Sequence, residues 1–209
     1  MNEERKMRTI LHTFVRALLA GMIISVGGVL YLSTDVKVAG ALLFTTGLLT
    51  ICTQGFNLFT GKVGYFVLQE EKGSYLKELL VIWLGNWAGT VVMGLLLQPA
   101  RITASIKQTA AAWCQVKMDD SLLSLLILGI CCGILMFVAV DGYEKTNKSP
   151  VILFLAISAF ILCGFEHCVA DMFYFALAGI WSARALVCIV VISLGNSIGG
   201  MIFPLLKQV

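Results

Sequence analysis

The chain has 209 residues, of which 59% are hydrophobic and only 13% are charged. Its mean hydropathy of +0.92 lies far above that of a soluble globular domain. This composition excludes a soluble protein and indicates a single integral membrane domain over residues 1–209. The net charge of +3 is not gathered into a basic cluster, so the sequence points to membrane lipid and not to nucleic acid as its surroundings.

Six apolar runs follow one another along the chain, and each is long enough to cross a bilayer, which takes about 20 residues. They cover approximately residues 11–32, 38–69, 77–98, 121–141, 150–180 and 183–206. The second and fifth runs are too long for one straight helix, and each carries a glycine near its middle, Gly55 and Gly164. Both runs are therefore predicted to be broken helices.

The connections between these runs are short, so the distribution of lysine and arginine predicts the orientation. With six crossings both ends lie on one side, together with Arg5, Lys6, Arg8, Lys72, Lys77, Lys145, Lys148 and Lys207. The opposite side carries fewer cations, namely Lys37, Arg101, Lys107, Lys117 and Arg184. This bias predicts a multi-pass protein of the cytoplasmic membrane with both termini in the cytoplasm.

Two ionisable residues stand side by side in the fifth run, Glu166 and His167, directly after Gly164-Phe165. Ionisable groups at such a depth are costly and usually mark a transport or proton path. A glycine next to them lets the backbone line a cavity. Glu166 has two open interpretations, since its carboxylate could accept N–H bonds from the broken loop or take part in proton movement.

The two halves of the chain share short sequence motifs in the same order. At an offset of 109 residues, Gly55-Phe56 matches Gly164-Phe165; at an offset of 110, Leu84-Gly85-Asn86-x-x-Gly89 matches Leu194-Gly195-Asn196-x-x-Gly199. Three spans per half is an odd number, so the second copy is inverted in the membrane. The sequence thus predicts an all-α fold of two inverted three-helix repeats, about 8–98 and 118–206. The paired glycines are expected to allow close helix packing, with Asn86 and Asn196 bonding across helices.

Seven cysteines are present, and none has metal-ligand spacing beside histidines. We expect no metal site and no cofactor. Cys114 falls in the connection before the fourth run and is expected to lie in an outer loop, partly exposed.

The words and their order resemble the formate/nitrite transporter family over about residues 8–206. The resemblance rests on Leu58-Phe59-Thr60-Gly61, Leu84-Gly85-Asn86, Gly164-Phe165-Glu166-His167 and Leu194-Gly195-Asn196. It implies an aquaporin-like fold of six spans and a homopentamer with a pore in each subunit. It also implies passage of small monovalent anions such as formate, nitrite or hydrosulfide, often with a proton.

The resemblance further implies roles for single residues. His167 matches the central pore histidine, Thr60 the threonine of the first break, and Lys117 the lysine before the fourth span. The outer constriction matches Leu58, Phe59 and Met136, and the inner constriction matches Phe44, Leu48 and Phe160. Asp171 stands where the family often has asparagine, and neither Asp171 nor Lys62 is assigned a role.

Elementary electrostatics leads from these residues to a mechanism. Lys117 can raise the local anion concentration, half-helix N-termini favour negative charge, and His167 can donate a hydrogen bond. Apolar rings dehydrate the path and favour a neutral acid over a bare anion. We therefore expect the anion to gain a proton beside His167, either from the histidine or from water.

Several alternatives remain open at this point. Thr60 could line the pore or only cap the half-helix that follows it, and Lys117 could be a solvated loop charge. Lys62 could reach the membrane surface or pair with Asp171. A neutral-solute channel of the aquaporin type also fits broken helices, although the chain lacks Asn-Pro-Ala words. An intramembrane enzyme is disfavoured, because no catalytic dyad, metal-ligand helix or cofactor motif accompanies Glu166 and His167.

Overall fold

A computed structural model describes residues 3–207. The four end positions of the predicted single domain, residues 1, 2, 208 and 209, lie outside the described residues. Within residues 3–207 all regular elements are helices. They are α1 (Glu3–Leu32), α2 (Lys37–Gln54), α3 (Phe59–Lys62), a 3₁₀ helix (Val63–Leu68), α4 (Lys72–Leu97), α5 (Thr103–Asp119), α6 (Leu122–Lys145), α7 (Val151–Leu162), α8 (Cys168–Ala178) and α9 (Ala183–Leu206).

Five of the described helices are long and apolar enough to cross a membrane, namely α1 from Met7 on, α2, α4, α6 and α9. The fifth apolar run of the sequence forms two shorter apolar helices instead, α7 and α8. The second run likewise forms α2, then α3 and the 3₁₀ helix. Both runs are interrupted at the predicted glycines.

The two interruptions have the same local cause. Gly55 has φ = +66° and Gly164 has φ = +69°, in the left-handed region that glycine enters without steric cost. After each glycine a backbone N–H reaches back five residues: Phe56 donates to the carbonyl of Ile51, and Phe165 donates to that of Phe160. This Schellman pattern ends a helix and turns the chain away from its axis.

Two asparagines hold the interrupted segments in place by equivalent bonds. Asn86 Oδ1 accepts from the N–H of Phe59 at 2.8 Å, and its Nδ2 donates to the carbonyls of Ala17 and Asn57. Asn196 Oδ1 accepts from the N–H of Cys168 at 2.9 Å, and its Nδ2 donates to the carbonyls of Gly129 and Glu166. Each asparagine therefore satisfies a free N–H at the start of a half-helix and ties the break to its neighbours. The expected bonding of Asn86 and Asn196 across helices is confirmed.

Glycines bring the long helices into backbone contact. α1 packs on α4, and α6 packs on α9. A Cβ added at Gly89 would lie 2.1 Å from the carbonyl oxygen of Leu18, and one at Gly199 would lie 2.0 Å from that of Ile130. Gly85 and Gly195 are equally crowded, with neighbours at 2.6 and 2.5 Å. The predicted packing role of these glycines is confirmed.

The connection between α4 and α6 differs from the prediction. It forms α5, a 17-residue helix that packs against α8. Cys114 lies on this helix and is fully buried, so its expected exposure in a loop is wrong. The physical reason is that Ile106, Ala110 and Cys114 recur every four residues and bury one face of α5.

Candidate functional site: a charged cavity above a histidine

The candidate site is a cavity of about 420 Å³ at the break between α7 and α8. Its wall includes Lys37 at the start of α2, Lys117 on α5, and Glu166, His167 and Asp171 around the break. Aromatic side chains complete it: Tyr31, Phe44, Trp113, Phe160, Phe165 and Tyr174. The sequence predicted His167, Glu166 and Lys117 at the site, and the structure brings all three together.

His167 lies between two hydrogen bonds and is only 2% exposed. It is the N-cap of α8, where its Nδ1 accepts the N–H of Ala170 at 3.1 Å. Its Nε2 lies 2.8 Å from Oγ1 of Thr60 on α3. The ring of Phe160 stacks on the imidazole at a centroid distance of 5.8 Å.

These bonds fix the tautomer of the neutral imidazole. A nitrogen that accepts from a backbone N–H carries no proton, so the single proton is on Nε2 and points to Thr60. Thr60 is not the cap of α3, because Leu58 holds that position and has no side-chain cap bond. The interpretation of Thr60 as a helix cap is therefore wrong, and its hydroxyl contacts His167.

Lys117 is buried against two carboxylates. Its side chain is 11% exposed, and its Nζ contacts Oε2 of Glu166 and, at 3.1 Å, Oδ1 of Asp171. Burial lowers the pKa of Lys117, but the charges of Asp171 and Glu166 outweigh burial and leave that pKa raised above its ordinary value. The ammonium therefore keeps its charge at neutral pH.

This geometry decides three of the open alternatives. Lys117 is not a solvated loop charge, and Asp171 pairs with Lys117 and not with Lys62. Glu166 braces the break through its backbone, since its carbonyl accepts from Asn196 and its N–H donates to Leu128. The carboxylate of Glu166 is engaged by Lys117 instead of by loop N–H groups.

A smaller cavity of about 110 Å³ lies beside the first break. Apolar side chains line it, including Leu48, Ile51, Phe56, Leu58 and Val140, together with Cys52, Lys62 and Glu144. Lys62 is the last residue of α3, and its carbonyl accepts from the hydroxyl of Tyr75. Lys37 begins α2 and Leu48 lies three turns further along it, so Leu48 and Leu58 lie on the far side of the site from Lys37.

The residues of the two predicted constrictions are divided between the two cavities. Phe44 and Phe160 line the same cavity as Lys117, whereas Leu58 lines the smaller cavity near the end of α6. The reason is chain direction: α2 starts at the mouth of the larger cavity, so Phe44 comes before the break and Leu58 after it. Leu48 lines the smaller cavity, while Phe59 and Met136 are buried in the core.

Two residues of the site were left without a role by the sequence. Asp171 lies four residues after His167, and this i, i+4 spacing indicates that both lie on one face of α8. Lys37 is exposed and lines the mouth of the cavity. No sequence pattern links Lys37 to His167, because α2 and α8 meet only through the folding of the chain.

The site thus consists of interrupted apolar helices that two asparagines hold around a buried polar cavity. The family model described as "Formate/nitrite transporter" matches residues 1–208. The chain belongs to the formate/nitrite transporter family.

Similar proteins carry related names. The chain is 27% identical over 183 residues to the "Formate channel FocA" of Haemophilus influenzae, which covers 77% of this chain and 64% of that protein. It is 28% identical over 193 residues to the "Formate channel FocB" of Escherichia coli, covering 82% and 68%. It is 26% identical over 231 residues to a "Probable formate transporter" of Methanothermobacter thermautotrophicus, covering 90% and 84%. The match thus spans about two thirds of the two formate channels.

Solved structures share the fold. A "Pentameric formate channel with formate bound" superimposes with a TM-score of 0.83 at 24% identity, covering 96% of each chain. An "FNT family ion channel" gives the same TM-score at 24% identity, covering 95% of this chain and 89% of that one.

Proposed function

We propose that the chain passes small monovalent anions of the formate, nitrite or hydrosulfide class across the cytoplasmic membrane, together with a proton. The observation that carries this proposal is the position of His167. It lies at the floor of a cavity with two lysines in its wall, and apolar side chains of a second cavity lie beyond it.

The route has three stages. An anion enters past the exposed Lys37 and reaches the floor. There Nε2–H of His167 exchanges its resting partner, Oγ1 of Thr60, for the anion, and the hydroxyl of Thr60 is a second donor. It must then leave water, which is costly for a bare charge and much less so for a neutral acid. The anion therefore takes up a proton at the floor, crosses the apolar stretch at Leu48 and Leu58 as the acid, and releases the proton on the inner side.

The membrane arrangement is part of the same proposal. The equivalent bonds of Asn86 and Asn196 support two inverted three-helix repeats with an aquaporin-like layout. We propose six crossings, with the α2–α3 and α7–α8 segments each forming one broken span, and both termini in the cytoplasm. A homopentamer with one pore per subunit follows from the family and from the fold shared with a pentameric channel. Native mass spectrometry tests the assembly, and a stable monomer or tetramer would contradict it.

The test of transport is flux into liposomes with the internal pH recorded, for formate, nitrite, hydrosulfide, acetate and lactate. We expect inward anion flux with a matching uptake of protons, and the smallest anions to be fastest. The matched controls are His167→Phe and His12→Phe, because His12 is the other histidine of the chain and lies exposed on α1. Only the first should lower the flux strongly. Rapid water flux with no anion-linked pH change would instead identify a neutral-solute channel.

A further inference from the structure

The charge balance beside His167 has an excess of negative groups. Glu166 and Asp171 both contact the one ammonium of Lys117, so the two carboxylates are neighbours. With both ionised, the cluster carries a net charge of minus one. Its members are buried, and a net charge is costly in such surroundings.

Asp171 also has an atom without a partner. Its Oδ1 faces Lys117, whereas its Oδ2 is buried and has no hydrogen-bond partner among the described residues. The residue is only 2% exposed and lines the cavity. A buried acceptor with no donor, in a cluster with one negative charge too many, is a site for a proton.

The other ionisable groups around Asp171 leave the balance unchanged. α5 presents Cys114 beside Lys117, α6 presents Cys132, and α9 presents Cys188 near Arg184. Tyr31 on α1 and Tyr174 on α8 are phenols, which are neutral near pH 7, as are thiols in apolar surroundings. α4 meets α8 through Gly94, which packs on Ala176. The guanidinium of Arg184 donates hydrogen bonds to the carbonyls of Met118 and Asp120.

The hydrogen bonds of His167 indicate that the proton transferred to the anion comes from another group. Neutral His167 has one proton, on Nε2, and giving it away would leave an imidazolate. To take up a second proton at Nδ1, the ring must first release the N–H of Ala170. The resting imidazole can therefore hold an anion by a hydrogen bond, but it has no proton to give.

We propose that Glu166 and Asp171 share one proton across Lys117 and that this cluster is the site from which the entering anion is protonated. The proposal deepens the proposed function and rests on it. In the transfer, the O–H bond of the shared acid breaks and an O–H or S–H bond forms on the substrate. The substrate becomes the neutral acid and the cluster becomes negative by one charge. Water in the cavity then returns a proton to the cluster, which restores the starting state, and the hydroxide that remains leaves through the cavity to the solution.

The proton can be observed without transport. Infrared spectra of the purified parent protein near neutral pH should show the carbonyl band of a protonated carboxylic acid, since exposed carboxyl groups are ionised there. The band should disappear on titration to high pH. Asp171→Asn and Glu166→Gln each leave one carboxylate for Lys117, and each should lose the band.

A matched control comes from Asp141 on α6. Its Oδ2 lies 2.8 Å from Lys145 and 3.6 Å from Lys207, so this carboxylate has two cations and no surplus charge. Asp141→Asn should leave the infrared band unchanged. In liposomes, Asp171→Asn should lower the number of protons taken up per anion relative to the parent, and Asp141→Asn should not.

Three results would overturn the proposal: no protonated carboxyl band in the parent, a band that persists in Asp171→Asn, or an unchanged proton-to-anion ratio in that variant. Because the band is read on the parent protein alone, poor folding of a variant does not remove the test. Failure of the proposed function is distinguishable, since a parent that carries no anion into liposomes can still show the band.

Discussion

Replacing His167 by asparagine separates hydrogen bonding from proton donation at the floor of the cavity. Asparagine is a good N-cap, so its Oδ1 can accept the N–H of Ala170 as Nδ1 of His167 does. Its amide still offers N–H donors to an anion but takes up no proton near neutral pH. We expect His167→Asn to assemble normally, pass anions and keep the proton-to-anion ratio of the parent.

The size of the effect follows from the bonds that change. The shorter side chain of asparagine gives up the bond to Thr60, and one such bond contributes about 0.5–1.5 kcal/mol. If all of it appears in the transport barrier, flux slows by about tenfold at most. His167→Phe also removes the donor to the anion, and a hydrogen bond to a charged group is worth about 1.5–3 kcal/mol. Flux should then fall roughly 10–150-fold.

The assay is anion flux with internal pH in liposomes, for the parent, both variants and the His12→Phe control, after native mass spectrometry has verified assembly. Two outcomes would refute the reasoning. If His167→Asn passes anions but no protons, the imidazole is the proton donor and the tautomer derived from its bonds is not the working state. If His167→Phe keeps the parent's flux, a donor at the floor is not needed.

Four further predictions concern the walls of the site and the asparagine that holds its break. Cys163 is exposed and lines the larger cavity, so a membrane-impermeant thiol reagent added outside should block flux in the parent and not in Cys163→Ser; block only from the inside would reverse the proposed orientation. Lys37→Met should slow anion entry at low ionic strength and match the parent at high salt, because screening removes the attraction of an exposed charge. Lys117→Met should instead lower thermal stability by about 3–5 kcal/mol, since it leaves two buried carboxylates without their cation, and equal melting temperatures would contradict this. Asn196→Leu leaves three buried backbone groups unpaired, at about 1–3 kcal/mol each, and should prevent or weaken assembly as measured by size-exclusion chromatography.

The breaks were predictable from sequence because their causes are local. A glycine in a long apolar run, followed by polar residues, is enough to indicate where a membrane helix ends. The repeated Leu-Gly-Asn words also indicated that equivalent asparagines bond across helices. Their partners at Phe59 and Cys168 follow only from the fold.

Helix α5 was missed although a signal was present. The connection after α4 looked like a polar loop, yet Ile106, Ala110 and Cys114 are spaced for one helix face, and Lys117 continues that face. Amphipathic spacing of small residues is a weak signal next to strongly apolar runs. The consequence was that Lys117 was expected in a connection before the fourth span, whereas it lies on α5, which brings it onto the break.

The sides of the constrictions and the charge cluster could not be derived from sequence alone. Phe44 and Leu48 are one turn apart on α2, yet they line different cavities. Which cavity a side chain enters depends on how α2 and α7 are rotated against each other. The pairing of Asp171 with Lys117 joins residues more than 50 positions apart, and spacing carries no information at that distance.

The backbone contacts at the glycines bear on the time scale on which the helices can move. A Cβ added at Gly199 would lie 2.0 Å from the carbonyl oxygen of Ile130, so the backbones of α6 and α9 are in direct contact, and Gly89 brings α1 and α4 together in the same way. Backbones packed this closely oppose sliding of one helix along the other. Sliding of helices takes microseconds to milliseconds, whereas side chains rotate in picoseconds to nanoseconds. The width of the proposed route would therefore change through rotation of the aromatic and leucine side chains that line the two cavities. If the chain transports as proposed, the arrival of a proton, and not the opening of a gate, would set the rate of transport through such a frame.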